Sequence, residues 1–455
     1  MAERIHHRTY DVRAAQVEKV LDALDGEEQV KRQGQVYLPQ PSGMSVADYS
    51  AYLARAHYFP VAERTLRGLT GLALAHDPQI KLPTALVPMI ENATFRGDSL
   101  DVLVEKILHD TLSVGQIALL LDYPTSGAAA FSAPYISVFT ASTILDYREA
   151  VVEGRSRLVM VRLAEDDDFD DEVERHLLLT LTDGIYTVQR FEVDGENLVP
   201  ITEPLVPTIN GKPLTEIPIV FVSPYELRAA PPKPPMLDLV NVALSHYRNA
   251  ADLEHALFLT SQPTPYVCGN IQEDQRPQSL GSGAFWVLPE GAQAGMLEMQ
   301  GNGIQHLREV MAEKKNEMAA LGARMIHEGQ NRNESSDTAK MRGRAEMSLL
   351  AGAVRMTEAA MRRLLRLAAT WTASSPDEVV FEMSRDFVSV EMASDAIREL
   401  VKAWQSGAIS HQTLIENLQR GEIVPADRSP DHEMMLIEEE GGNLGTPSVV
   451  TFPGA

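Results

Sequence analysis

The run Pro231-Pro232-Lys233-Pro234-Pro235 followed by MLDLVNVALSHYRNAADLEHALFLT at 236–260 decides how the rest of the chain is read. Each proline ring fixes φ and pushes the residue before it out of the helical region, so 231–235 is a stiff, extended marker. The segment after it holds neither Gly nor Pro, and Leu237, Val240, Leu244, Tyr247, Ala251 and Phe258 fall on one helical face. At ~1.5 Å per residue such a helix spans ~37 Å, long for a globular protein.

Moving toward the C-terminus, an excursion over 261–302 carries Pro, Gly and strand-like pieces at Pro265 to Cys268, Ala284 to Leu288 and Met296 to Met299. A second long helix is expected from about Ile304 to Met325. Leu307, Val310, Met311, Met318, Leu321 and Met325 form its apolar stripe, and Ala312, Ala319 and Ala323 let a neighbour approach from the far side. The polar run His327 to Ser336 has little to bury and is expected to be exposed and mobile. From about Thr338 a third, longer helix carries Met347, Leu350, Val354, Met361, Leu364 and Trp371. A hairpin of Val379 to Glu382 with Phe387 to Glu391 and two short helices, 394–405 and 410–418, follow. The tail from Asp427 reads as loosely held.

Moving toward the N-terminus, residues 131–222 carry β-branched and aromatic runs at 135–140, 157–163, 176–182, 185–193 and 217–222, separated by turns such as Thr182-Asp183-Gly184, which predicts a compact antiparallel unit. An acidic segment, Glu165 to Glu172, lies between two of its strands. Residues 11–122 read mainly as helix, with Ala14, Val17, Val20, Leu21 and Leu24 at helical steps. A further helix opens at Asp98 and Asp101, ends at Gly115, and leads into a buried strand at 117–123. The fold class is therefore α+β.

Composition narrows the function. Lys plus Arg number 40 against 64 Asp plus Glu, a formal charge of −24, which disfavours a protein that coats DNA by replacing its counterions. Cys268, the single cysteine, excludes an intrachain disulfide and a thiolate zinc cluster. No run reaches the ~18 apolar residues that span a bilayer, and the N-terminus lacks a secretory apolar core, so no membrane partner is expected.

Chemical motifs are mostly rejected. There is no GxxxxGK[ST] loop and no GxSxG elbow, and Gly281-Ser282-Gly283 and Gly301-Asn302-Gly303 lack a dinucleotide fold's third glycine and its strand-to-helix setting. His327-Glu328 has Asn331 where a zincin needs histidine, and His246 and His255 do not share a helical face. The acidic segment lacks an EF-hand's spacing and reads as a solvated hairpin tip or a weak ion site. No catalytic residue, metal site or cofactor is expected, and the chain does not read as an enzyme.

Taken in order, YLPQPSGMSVADYSAYLARAHYFP at 37–60, GDSLDVLVEKILHDTLSVGQIALLLDYP at 97–124, LVNVALSHYRNAADLEHALFLTSQPTPYVCG at 239–269, AFWVLPEGAQAGMLEMQGNGI at 284–304 and SGAISHQTLIENLQRGEIVP at 406–425 resemble the portal, or head-to-tail connector, proteins of tailed bacteriophages. The resemblance implies a mainly helical ring homo-oligomer, usually a dodecamer. It implies a wing at 1–235 (helical over 1–130, β over 131–235), a first stem helix at 236–260, a clip of small α/β character at 261–302 and a second stem helix at 303–325. A tunnel loop at 326–337, a long wing helix and small hairpin at 338–392, a helical crown at 393–428 and a flexible tail at 429–455 complete it.

The implied role is a channel at one capsid vertex for packaging and ejecting double-stranded DNA, touched transiently on its backbone. The implied partners are the terminase large subunit, then a head-tail adaptor, and the major capsid protein; the implied location is the virion, with the host cytoplasm during assembly. Glu328, Gly329, Gln330, Asn331, Arg332, Asn333, Glu334 and Ser335 would form the tunnel loop, and Phe285 with Trp286 the clip contact. Arg308, Lys314 and Lys315 would lie at the channel or the stem interface. Lys314 sits within the apolar stripe, where an unpaired ammonium costs several kcal/mol, so it reaches the channel, pairs across a subunit contact or stays exposed. An adaptor ring that conducts no DNA and a metal enzyme using the acidic segment are the competing readings.

Overall fold

The structure is a computed structural model. It describes residues 6–123, 133–152, 154–165, 173–195, 197–261, 264–270, 272, 279, 286–297, 302–322, 336–385 (side chains from 349), 402–403, 408–410, 412–414 and 417. The chain divides into two compact units, Met1–Met383 and Ser384–Ala455. Helices and strands are mixed, as the α+β reading expects.

The first unit begins with helices α1 (Tyr10–Asp25), α2 (Glu27–Arg32), α3 (Val46–Arg55) and α4 (Val61–Ala73), then strand β1 (Gln79–Lys81) and helix α5 (Leu100–Ser113). Ser45 and Ser99 cap α3 and α5 by accepting from the amides of Asp48 and Val102, which satisfies donors that the first helical turn leaves free. Asp22 is buried in α1 yet fully used: Tyr37 Oη donates to it at 2.6 Å and Gln29 Nε2 at 2.7 Å.

Strand β2 (Ile117–Asp122) follows α5 after a sharp turn at Gly115, whose φ of +91° suits glycine. The strands β3 (Tyr135–Thr140), β4 (Ile144–Val152), β5 (Arg155–Glu165), β6 (Arg175–Thr182), β7 (Ile185–Asp194), β8 (Asn197–Pro200), β9 (Thr208–Ile209), β10 (Lys212–Pro213) and β11 (Ile219–Val222) make the β part. It forms a five-stranded antiparallel sheet in the order β4-β5-β6-β7-β8 and a three-stranded sheet β11-β2-β3, beside the short pair β9-β10. Ala118, Leu120, Ile219 and Phe221 of the smaller sheet share one core with Val161, Leu163, Leu177, Leu179 and Tyr186 of the larger. The strand at 117–122, which the sequence groups with the helices, is thus the central strand of a sheet that also draws on 219–222.

After the proline run come helix α6 (Leu237–Thr260), strands β12 (Thr264–Cys268) and β13 (Gln293–Leu297), and helices α7 (Asn302–Ala320) and α8 (Ser336–Trp371), with strand β14 (Val380–Glu382) last. Helix α8 buries Leu350, Val354, Met361, Leu364, Leu365 and Trp371 against α4, α5 and β11. Of the hairpin expected of 379–382 with 387–391, only the first strand is described. β14 pairs antiparallel with β1, Ile80 opposite Phe381, and 387–391 lies outside the described residues. Arg362 holds the new partner in place, donating to Phe381 O at 3.1 Å and to Glu358 at 2.6 Å, while Glu358 also accepts from Met383 N. In the second unit Ser410 caps the start of its predicted helix through the amide of Thr413, and Leu414 is buried.

Gly352 has no room for a side chain: a Cβ there would stand 2.6 Å from Pro224 O, a backbone atom that cannot swing aside. Gly352→Ala gains about 1 kcal/mol of helix propensity but forces an overlap costing about 1–3 kcal/mol. The expected outcome is a lower midpoint of thermal unfolding, and an alanine variant more stable than the parent would show that α8 does not pack on this carbonyl.

Candidate functional site

Helix α6 is two helices in one as regards burial. Its first half, with Leu237, Val240, Ala243, Leu244, Tyr247 and Ala251, is enclosed by α1, α3 and α4. Its origin is fixed by the proline run, which seats on the α5–β2 turn. A Cβ at Gly115 would lie 3.1 Å from Pro235 and 3.2 Å from Pro232, and Met236 N donates to Ser113 O at 3.3 Å.

Beyond Ala251 the cover thins. Helix α3 supplies it through Tyr52, whose hydroxyl donates to Asp252 at 2.6 Å, and through Arg55, whose guanidinium stands 4.1 Å from the centre of the Phe258 ring. Phe258 nevertheless stays 44% exposed and Leu259 46%. The strand pair that follows, with Tyr266 opposite Gly295, leaves Tyr266 and Met296 exposed, and Val287 is 75% exposed.

Helix α7 returns along α6, the element against which it packs most extensively among the described residues. Leu307, Val310 and Met311 of its predicted stripe are only half-buried and Leu321 is exposed, so among the described residues of the stripe Met318 alone is buried and the pair makes a thin core. Lys314, in the middle of that stripe, is held within the chain. Its Nζ donates to Ser245 Oγ at 2.8 Å, Asn249 Oδ1 at 3.1 Å and Ser245 O at 3.2 Å. Three donors meet three acceptors. Burial, with Arg248 nearby, holds its pKa below the usual lysine value, and Glu317 works the other way. This intramolecular seat is a fourth place for the ammonium, beside the three open from sequence.

The other site residues are scattered. Lys315 is exposed, its ammonium 5.9 Å from the centre of the Phe59 ring, and the Arg64 guanidinium lies 5.4 Å from that same ring. Arg308 is exposed on α7. Trp286 is half-buried and donates from Nε1 to Ser279 O at 2.7 Å. Phe285 and the run Glu328 to Ser335 lie outside the described residues. Of the acidic segment, Glu165 is described and is bound by Arg190 at 3.0 Å; the rest is not. Among the described residues no three His, Cys, Asp or Glu side chains converge as a metal site, and no helix is long and apolar enough to cross a membrane.

The sequence reading missed Phe59, Arg64, Ser245 and Asn249. Ser245 and Asn249 are four apart and share a face of α6, but that face points away from the apolar stripe of Leu237, Val240, Leu244, Tyr247 and Ala251, so nothing in the spacing marks them as the seat of a lysine. The geometry offers a half-covered helix pair ending in exposed apolar side chains, a surface suited to association.

A family model described as a domain of unknown function (DUF4055) matches residues 235–372, the span from the end of the proline run to the end of α8. No curated protein matches the sequence. Among solved structures the chain is similar to one in the neck of a native GTA particle computed with C12 symmetry, at 12% identity and a TM-score of 0.45, over 79% of this chain and 89% of that one. It is also similar to one in the neck of an empty GTA particle computed with C6 symmetry, at 12% identity and a TM-score of 0.44, over 78% and 88%.

His246 adds a pH response to the helix pair. It is 4% exposed beside Phe59, and neither ring nitrogen has a hydrogen-bond partner. Burial first, then Lys315, Lys314 and His57, lower its pKa from 6.5 to about 4. Below pH 6.5 the unfolded chain takes up a proton that the folded chain refuses, so the stability from the neutral ring is complete above that pH and is lost as pH falls toward 4. Between about pH 6.5 and pH 5 the loss is about 2 kcal/mol. His246→Leu should flatten the acid side of the stability profile, measured by denaturant unfolding across that window; an unchanged profile would remove His246 as its cause.

Proposed function

We propose that the chain is the subunit of a ring-shaped portal, a head-to-tail connector through which an external motor moves double-stranded DNA into a capsid and from which the DNA later leaves. The observation that carries this reading is the exposure of Phe258, Leu259, Tyr266, Val287 and Met296 at the end of α6 and in the strand pair, beside a helix pair whose own core is thin. Neighbouring copies would supply the missing cover. The resemblance of the segment order to portals supports the same reading, with α6 and α7 as the stem, 261–302 as the clip and α8 running back into the wing.

A conduit works best with weak, non-specific contact, because each neutralised phosphate adds affinity that translocation must undo. The charge of −24 fits passage better than capture. The loop 326–337, with Arg332 beside amide and hydroxyl side chains, would touch the phosphate backbone without reading bases. The clip would meet the terminase large subunit and then the head-tail adaptor, and the wing the major capsid protein. The ring has no catalytic duty in this scheme.

Native mass measurement and negative-stain images of the full chain test the proposal. A ring of about a dozen copies with a central hole wide enough for a duplex is expected; a closed or narrow ring would favour the adaptor that conducts no DNA, and a stable monomer would overturn both. Within a ring that passes this test, deleting Glu328 to Ser335 should leave assembly intact and impair packaging or retention of DNA. Loss of the ring on deletion would count against a tunnel loop.

A further inference from the structure

Helix α7 has three faces. Its apolar stripe, centred on Leu307, Met311 and Met318, lies against α6. At ~100° per residue, Glu309, Glu313 and Glu317 form a row centred roughly 140° round the helix on one side of that stripe, and Arg308 and Lys315 lie roughly 70° round on the other. All five are exposed.

Among the described residues neither row is neutralised. Among the described residues Glu313 and Glu317 have no cation within ion-pair distance, and Glu309 meets only Gln305 at 3.3 Å and His306 at 3.9 Å. A row of like charges four residues apart costs a few tenths of a kcal/mol per pair, so the acidic row is tolerated and not self-supporting. On the opposite flank Arg308 has no carboxylate partner among the described residues, and Lys315 shares the Phe59 ring with Arg64, an exposed cation that likewise has none among them. Arg64 thus widens the basic flank. In a chain carrying −24, three cations without carboxylates among the described residues, Arg308 and Lys315 on one side of α7 and Arg64 on α4 at the same Phe59 ring as Lys315, are notable for what they could accept.

We propose that the partner of each flank is the opposite flank of a second copy of this chain, so that neighbouring α7 helices close acidic side to basic side around the ring. The inference rests on the ring reading above and specifies the seam of that ring. Charge complementarity selects the arrangement. A two-fold contact through either flank would set like charge against like, whereas a head-to-tail contact pairs Glu313 and Glu317 with Lys315, Arg308 and Arg64 at every junction and can close on itself. It also gives the seam a polarity, since each subunit has one donor side and one acceptor side.

The experiment uses the full chain and reads native mass against protein concentration and salt. Two variants reverse one flank each, Glu313→Lys with Glu317→Lys, and Arg308→Glu with Lys315→Glu; a third carries all four substitutions. Each one-flank variant is expected to need on the order of tenfold more protein to assemble, with its helical content unchanged by circular dichroism. The four-fold variant, and an equimolar mixture of the two one-flank variants, should assemble again, because both restore acidic-to-basic junctions. Salt should weaken assembly of the parent and of the four-fold variant alike.

If the parent forms a ring and the one-flank variants assemble as it does, the seam is overturned and the ring stands. Should neither the mixture nor the four-fold variant recover assembly, the charges act through folding and the seam is also overturned. Normal assembly of Arg308→Glu/Lys315→Glu with weakened duplex binding would assign the basic flank to nucleic acid instead. A monomeric parent would refute the ring itself.

Discussion

The structure depends on one contact: two proline rings seated on a glycine. Gly115 lets α5 turn into β2 within three residues, and the absence of its side chain lets Pro232 and Pro235 lie against the turn. The proline run cannot bend, so this seat sets both the point at which α6 starts and the direction in which it leaves. Every later element of the first unit inherits that direction, because α7 packs back along α6 and α8 returns to α4 and α5. A rigid marker that sequence alone reveals thus becomes, in three dimensions, the anchor of a long helix pair.

Burial changes along that pair. Near the anchor, α6 is a core helix with Tyr247 fully buried; at its far end Phe258 and Leu259 remain half in water. Hydrophobic stabilisation scales with area removed from water, roughly 25 cal/mol per Å², so the far end gains little within one chain. The charged flanks of α7 follow the same pattern, with groups left unpaired that a globular monomer would normally pair or scatter. Apolar exposure and unpaired charge are independent features of the same helices, and in the proposed ring both would be relieved by the same kind of neighbour.

Much of this was legible in the residues. A Gly- and Pro-free run with apolar positions at helical spacing specifies α6 and α8 locally, and turn residues at regular intervals specify the β unit. What was not legible is non-local. The three-residue strand at 380–382 has too few positions to announce a partner, and its partner lies some three hundred residues earlier, in β1. The central strand 117–122 reads as buried, yet nothing local says that 219–222 will pair with it. For the candidate site, the place of Lys314 in the apolar stripe was evident, but its acceptors depend on how α6 is turned toward α7, which only packing decides. Phe59 and Arg64 escaped notice because an aromatic residue and an arginine five positions on form no motif, and their meaning comes from Lys315 arriving at the same ring.

The seat of Lys314 has a mechanical consequence. An ammonium that spends all three protons on Ser245 and Asn249 adds modestly to equilibrium stability, since each bond replaces one to water. Sliding one helix past the other is a different matter: a slip of one turn, ~5.4 Å, would break all three bonds before any new acceptor came within reach. The lysine therefore acts as a shear pin, resisting force along the helix axes far more than it resists heat.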